Sequence, residues 1–246
     1  ICQDGTYTIN FTLLEQLAEK PDCRLLILCN PHNPVGRVWT KEELARVGEI
    51  CKKNNVLVIA DEIHSDLVYA GYVHTPFALA SDAPHLLCTS LGKTFNVAGL
   101  RLANIFSSSA ELKKQYDQEI DAYSYSASNT FGLEMVQAAY SPEGEAWLEE
   151  LLVYLQGNVE VVSEWCQKHN VGFTAPQGTF LCWLDLGSAG LTDEEIIKKM
   201  IMGKEVICVP GPWFGKGGEG HLRLNIGCTR KTLVEALDRI ASVLNN

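Results

Sequence analysis

Basic residues are in short supply in this chain. Twenty Lys and Arg stand against thirty Asp and Glu, a net charge of −10 over 246 residues. A surface of that sign argues against a nucleic-acid backbone or an anionic membrane as the main partner, because phosphate arrays need a basic face. A local basic pocket for a small anion remains compatible with it. Long apolar runs are missing too: none approaches the roughly 20 residues that span a bilayer, and the N-terminus lacks a signal-peptide pattern. The nine cysteines (Cys2, Cys23, Cys29, Cys51, Cys88, Cys166, Cys182, Cys208 and Cys228) include no C-x-x-C pair. Their odd count, with several inside apolar runs such as Phe180-Leu181-Cys182-Trp183, favours buried free thiols in a reducing cytosol over disulfides or zinc. There is no zinc signature, no G-x-S-x-G and no Walker A motif. Internal repeats are absent, and the only low-complexity tract is Ser107-Ser108-Ser109.

What is present is an ordinary globular composition, 46% hydrophobic, on a length that suits one to two domains. The chain opens on Ile1-Cys2-Gln3-Asp4-Gly5 without an initiator methionine, which reads as the end of a strand entering a turn and so as the middle of a larger protein. Asn10 to Lys20 has Leu13, Leu14 and Leu17 at helical spacing. Leu25 to Leu28 is a continuous apolar run, as expected for a strand covered on both faces. Thr40 with Glu43 three residues on makes a capping box for a helix lined by Leu44, Val47, Ile50 and Cys51. Val56 to Ala60, Leu86 to Thr89 and Leu102 to Phe106 read as further strands. Alternation of strands and helices predicts an α/β domain with a largely parallel sheet over 1–140. Over 141–246 the pattern becomes one long helix, Pro142 to His169, then short strands around Phe173, Phe180 to Leu186, Val206 to Val209 and His221 to Ile226. Helices at Thr192 to Met202 and Thr229 to Leu244 flank them, predicting a small α+β domain.

Three polar segments follow the first three strands: Asn30 to Gly36, Asp61 to Asp66 and Ser90 to Leu100. Loops at the carboxyl ends of such strands are where ligands bind. Lys93 sits in a short Gly-containing loop after a buried strand, where loss of water would leave its amine nucleophilic. Alone it would be a surface lysine. Ser90 read alone is a cap, and Arg101 a surface ion pair. Together a hydroxyl and a guanidinium bracketing the lysine suit a phosphate group, since arginine offers a rigid bidentate fork. Arg223, within the apolar run Leu222-Arg223-Leu224-Asn225-Ile226, demands an anionic partner, either a ligand carboxylate or an internal glutamate. Gly215-Lys216-Gly217-Gly218-Glu219-Gly220 satisfies G-x-G-x-x-G, but a strand and not a helix follows it, so it is expected to be a mobile loop and not a dinucleotide site.

The segments Asn30 to Trp39, Asp61 to Leu67 and Ser90 to Leu100 resemble, in order and spacing, the fold-type I pyridoxal-phosphate enzymes of the aminotransferase superfamily. Within it they resemble the cystathionine β-lyase-like branch, and the similarity runs from about residue 3 to the C-terminus. The resemblance implies pyridoxal 5'-phosphate as cofactor, with Lys93 holding it covalently and later moving the substrate Cα proton. It implies that Asp61 pairs with the pyridinium nitrogen and that Asn33 donates to the phenolic oxygen. Ser90 and Arg101 would take the phosphate. For Asp61 a helix-capping role, and for Asn33 a turn role between two prolines, stay open beside these. Gly36 is read as a backbone-geometry residue. His64 stands where most aminotransferases have tyrosine and the lyase-like branch has histidine; a backbone-bonded neutral histidine is the other reading. His74 is read as structural. Arg223 is implied to bind the substrate α-carboxylate. The implied reaction is carbon–sulfur β-elimination on cystathionine- or cysteine-type amino acids, giving thiol, pyruvate and ammonia, with transamination as the alternative. A cytosolic homodimer is implied, with neither nucleic acid nor membrane as partner. The family carries a sizeable N-terminal portion ahead of the position of Ile1, with a phosphate loop, a ring-stacking aromatic and several strands. The expectation is therefore a truncated large domain, followed by an interdomain helix and a small C-terminal domain. A catalytically silent fragment is the reading from another class.

Overall fold

Strand after strand in the computed structural model, which describes residues 2–3, 5–125, 129–202 and 206–244, the apolar runs fall where patterning puts them. Two compact units form: Thr8–His32 with Val38–Glu150, and Cys2–Tyr7 with Asn33–Arg37 and Leu151–Asn246.

In the first unit the strands are β1 (Leu25–Cys29), β2 (Leu57–Asp61), β3 (His85–Thr89) and β4 (Asn104–Ser107). They lie in the order β1-β2-β3-β4. The first three are parallel, and β4 runs antiparallel to β3. The connection between β3 and β4 explains that reversal. Its helix is the single turn Leu91–Thr94, only about 6 Å long at 1.5 Å per residue, too short to carry the chain back along a strand. Helices α1 (Phe11–Ala18), α2 (Lys41–Lys53) and α3 (Phe77–Ala80) bury one sheet face. Leu28, Val58, Ala60 and Leu87 from the strands meet Leu44, Val47, Ile50 and Cys51 of α2 and Phe77 of α3 there. The capping box of α2 forms as read, with the Glu43 amide donating to Thr40 Oγ1 at 3.2 Å and the Thr40 amide to Glu43 Oε2 at 2.8 Å. The turn Leu91–Thr94 is α4; after β4 come α5 (Ala110–Ala122), α6 (Thr130–Ala139) and the long α7 (Pro142–His169).

The second unit takes α7 from Leu151 onward, with Leu155, Val159, Val162, Trp165 and Cys166 buried. Its strands β5 (Gly172–Phe173), β6 (Leu181–Asp185), β7 (Val209–Pro210) and β8 (His221–Asn225) form an antiparallel sheet in the order β5-β6-β8-β7. Helix α8 (Arg230–Leu244) buries Leu233, Leu237, Ile240 and Val243. Strand alternation in β8 sends Leu222 and Leu224 inward, and Arg223 to the opposite face, in register with Trp183.

Two local readings change. The segment expected as a helix over Thr192 to Met202 has its cap, a Thr192–Glu195 box, but continues from Ile196 as a π-type turn. The strand expected over Val206 to Val209 begins only at Val209. The loop at 215–220 carries its own hydrogen bonds: the Gly217 amide donates to Glu219 Oε2 at 2.7 Å and the Gly220 amide to Asp193 Oδ1 at 2.8 Å.

Candidate active site

The carboxyl ends of β1, β2 and β3 lie side by side, and Asp61 ends the middle strand, in register with Cys29 on one side and Cys88 on the other. Its Oδ1 accepts from the Ile63 amide at 3.2 Å, and Oδ2 accepts from the Cys29 thiol at 3.7 Å. Among the described residues no cation pairs with it. Burial pushes the Cys88 thiol pKa up, and the Asp61 and Glu62 carboxylates beside it push the same way.

Glu62, the next residue, faces the core and is 1% exposed. Its Oε1 accepts from the Phe77 amide at 2.7 Å, and Oε2 lies 2.9 Å from His74 Nε2. Asn30 sets the direction of that bond. Its Oδ1 accepts from the Trp39 amide at 3.0 Å, so its Nδ2 is the donor toward His74 Nδ1 at 3.3 Å and the Thr75 carbonyl at 3.2 Å. His74 Nδ1 therefore accepts, and Nε2 carries the proton donated to Glu62. His64 is buried in the same loop, its backbone carbonyl accepting from the Leu67 amide.

After β3, Ser90 caps α4: its Oγ accepts from the Gly92 amide at 3.0 Å and donates to the Leu102 carbonyl at 2.6 Å. Lys93 is the third residue of α4 and half-buried. Its neighbour Thr94, fully buried, donates to Asp66 Oδ2 at 2.8 Å and ties α4 to the loop after β2. A 3₁₀ turn at Ala98–Leu100 ends on Arg101 in the left-handed region at φ 51°. Ser90, Lys93 and Arg101 line one cavity of about 260 Å³ together with Ile63, Ala98 and Leu102. Among the described residues neither Lys93 nor Arg101 has an acidic partner. An amine and a guanidinium without acidic partners among the described residues suit a small anionic ligand that also offers a group for the amine.

The second unit holds the other two residues. Arg223 Nη1 donates to Asn33 Oδ1 at 2.9 Å, and the guanidinium lies over the Phe214 ring, 4.9 Å from its centroid. Burial lowers the Arg223 pKa from its ordinary value. No carboxylate among the described residues pairs with it. Gly36 at φ 70° has the backbone role read for it, since a Cβ there would collide with Pro176. Sequence reasoning missed Cys29, the Asn30–His74–Glu62 network and Phe214. Only His74 carried a signal, as the histidine before Thr75-Pro76-Phe77; the others surface through non-local contacts.

The sequence profile of the family described as aminotransferase class I and II matches residues 3–240. Cystathionine beta-lyase PatB of Bacillus subtilis is 38% identical over 99% of this chain and 64% of the relative. Protein MalY of Escherichia coli is 33% identical over 94% of this chain and 59% of the relative. Among solved structures, cystalysin from Treponema denticola, which contains pyridoxal 5'-phosphate, superposes with a TM-score of 0.94 at 30% identity, over 100% of this chain and 63% of that one. The pyridoxal-phosphate-bound C-S lyase of Staphylococcus hominis gives 0.90 at 33% identity, again over 100% and 63%. The chain thus spans just under two thirds of the length of these relatives.

Proposed function

The chain belongs to the aminotransferase class I and II family, and from that premise we propose that it serves a pyridoxal 5'-phosphate-dependent carbon–sulfur β-lyase. The substrate class is a cysteine-type amino acid with a sulfur substituent at Cβ, and the products are a thiol, pyruvate and ammonia. The observation that carries the reading is the cavity shared by Ser90, Lys93 and Arg101, where an amine and a guanidinium both lack acidic partners among the described residues. Names of the similar proteins favour the lyase over the aminotransferase.

When bound, pyridoxal 5'-phosphate supplies an electron sink for the charge left at the substrate Cα. Asp61, which has no cationic partner among the described residues, holds the proton on the ring nitrogen. Arg101 offers its fork to the phosphate, with the Ser90 hydroxyl beside it. Asn33 keeps a donor at Nδ2, since Oδ1 is engaged by Arg223. Arg223 takes the substrate α-carboxylate. Lys93 is the covalent anchor and, freed as an amine, removes the Cα proton; general-base help of this kind contributes roughly a hundred- to ten-thousand-fold. His64 lines the acid's loop as a binding residue for the cofactor. The acting form on this reading is a cytosolic homodimer, which sedimentation of the purified protein checks.

Borohydride reduction of the cofactor-loaded protein tests the reading. The expected result is one reduced adduct, mapped to Lys93 by peptide mass, together with thiol release from S-substituted cysteines that needs no 2-oxo acid. An adduct on another lysine overturns the site. Cofactor uptake without thiol release, but with amino transfer to a 2-oxo acid, makes the protein an aminotransferase. Failure to take up cofactor makes this chain a silent fragment.

A further inference from the structure

We propose that Phe214 is a positioning residue for the Arg223 guanidinium, holding its free edge ready for a carboxylate from solution; the proposal rests on the reading of Arg223 as the α-carboxylate site. Phe214 does not act alone. Its ring meets Trp183 edge-on at 5.4 Å and 89°, and Trp183 stacks on His221 at 5.0 Å and 15°. Trp183 lies opposite Arg223 in the β6–β8 register. A row of three aromatic rings thus ends on the guanidinium face.

The loop that carries Phe214 is built to keep it there. The 3₁₀ turn Gly211–Phe214 leads into Gly215 and Gly217, at φ 97° and 93°, where side chains are strained whatever the space. Gly211 and Gly218 pass so close that a Cβ on either would collide with the carbonyl oxygen of the other. The Gly215 amide donates to the Pro212 carbonyl at 3.1 Å, and the Gly218 amide to the Gly215 carbonyl at 3.1 Å. The G-x-G-x-x-G pattern therefore serves as a rigid mount for an aromatic ring and not as a phosphate loop.

Arginine has five N–H donors in one plane. Phe214 covers one face of that plane and Asn33 occupies one donor, so an incoming anion is steered to the open edge, where a carboxylate accepts two parallel bonds. The ligand class selected is a small monocarboxylate with its group presented in plane.

Calorimetric titration of the full chain with propionate, an α-carboxylate mimic without an amino group, tests this, with propylamine as the control. The variants are Arg223→Gln, Phe214→Leu, which keeps apolar volume but removes the π face, and Phe214→Tyr, which keeps both. Thermal melts establish that each variant is folded. We expect Arg223→Gln to abolish propionate binding, Phe214→Leu to weaken it about fivefold, from the typical strength of a cation–π contact, and Phe214→Tyr to bind as the unaltered chain does. Propylamine binds none of them. Unchanged affinity in Phe214→Leu, with loss in Arg223→Gln, overturns the role of Phe214. Unchanged affinity in Arg223→Gln, or no propionate binding by the unaltered chain, overturns the carboxylate site itself.

Discussion

Arg223 and Asn33 stand 190 positions apart in sequence, yet Nη1 of one donates to Oδ1 of the other at 2.9 Å. That single bond fixes which way the Asn33 amide faces. The oxygen is committed to the arginine, so the nitrogen is the end left to donate. A residue read from its loop as a turn former thus has both of its polar ends specified.

Asn33→Asp exploits this. The substitution sets a carboxylate against the guanidinium, where a charge-assisted bond is worth about 1.5–3 kcal/mol. An amino-acid substrate must then compete with an internal anion. We expect KM to rise by roughly ten- to a hundredfold, since about 1.4 kcal/mol is a factor of ten, with a smaller change in kcat. Steady-state kinetics of thiol release checks it; an unchanged KM means that Arg223 does not hold the substrate carboxylate.

His74→Leu strands Glu62. The glutamate is 1% exposed and would keep the Phe77 amide but lose the His74 Nε2 donor. Removing one partner of a buried polar group costs about 1–3 kcal/mol, more when the group is charged. A drop of that size in the unfolding free energy, from urea titrations, is expected. His74→Gln, which can still present an N–H to Glu62, should recover part of it, whereas equal losses in the two variants would mean that packing volume and not the hydrogen bond matters.

Acid should weaken the fold through His32. Its Nδ1 is buried without a partner, its ring sits edge-on to Trp39 at 5.6 Å, and burial lowers its pKa from 6.5 to about 4. The unfolded chain takes up a proton near pH 6.5 while the native chain resists until about 4. The stability tied to this depressed pKa is present above about pH 6.5 and is lost as pH falls toward 4. His32→Phe keeps the ring but cannot titrate. Its denaturation midpoint should fall less between pH 7 and pH 4.5 than that of the unaltered chain; parallel falls would assign the acid sensitivity elsewhere.

Local signals carried far in this chain. The Thr40–Glu43 box and the periodicity of Pro142 to His169 depend on neighbours in sequence, and the observed elements follow them closely; the run Leu25 to Leu28 is a strand as read but is not covered on both faces, since Leu25 and Ile27 are exposed. Helix α5 escaped because none of its residues is buried, so its apolar stripe was too faint to read. The reversal of β4 escaped because it depends on how far α4 can carry the chain. Asp61, Ser90 and Lys93 were legible as candidates because each lies at or just beyond the carboxyl end of a strand. The Asn33–Arg223 bond, the Phe214 contact and the tautomer of His74 were not, since each needs residues that only folding brings together.

The adjacent acids Asp61 and Glu62 have a consequence for how this segment can change. Consecutive side chains leave an extended strand in opposite directions, so one acid faces the ligand end while its neighbour is sunk beside Phe77. Losing or gaining one residue in β2 would exchange the two positions, burying Asp61 and turning Glu62 to the face that Asp61 now occupies. Variation here is confined to trading one side chain for another, because the strand's spacing decides which of the two acids is buried.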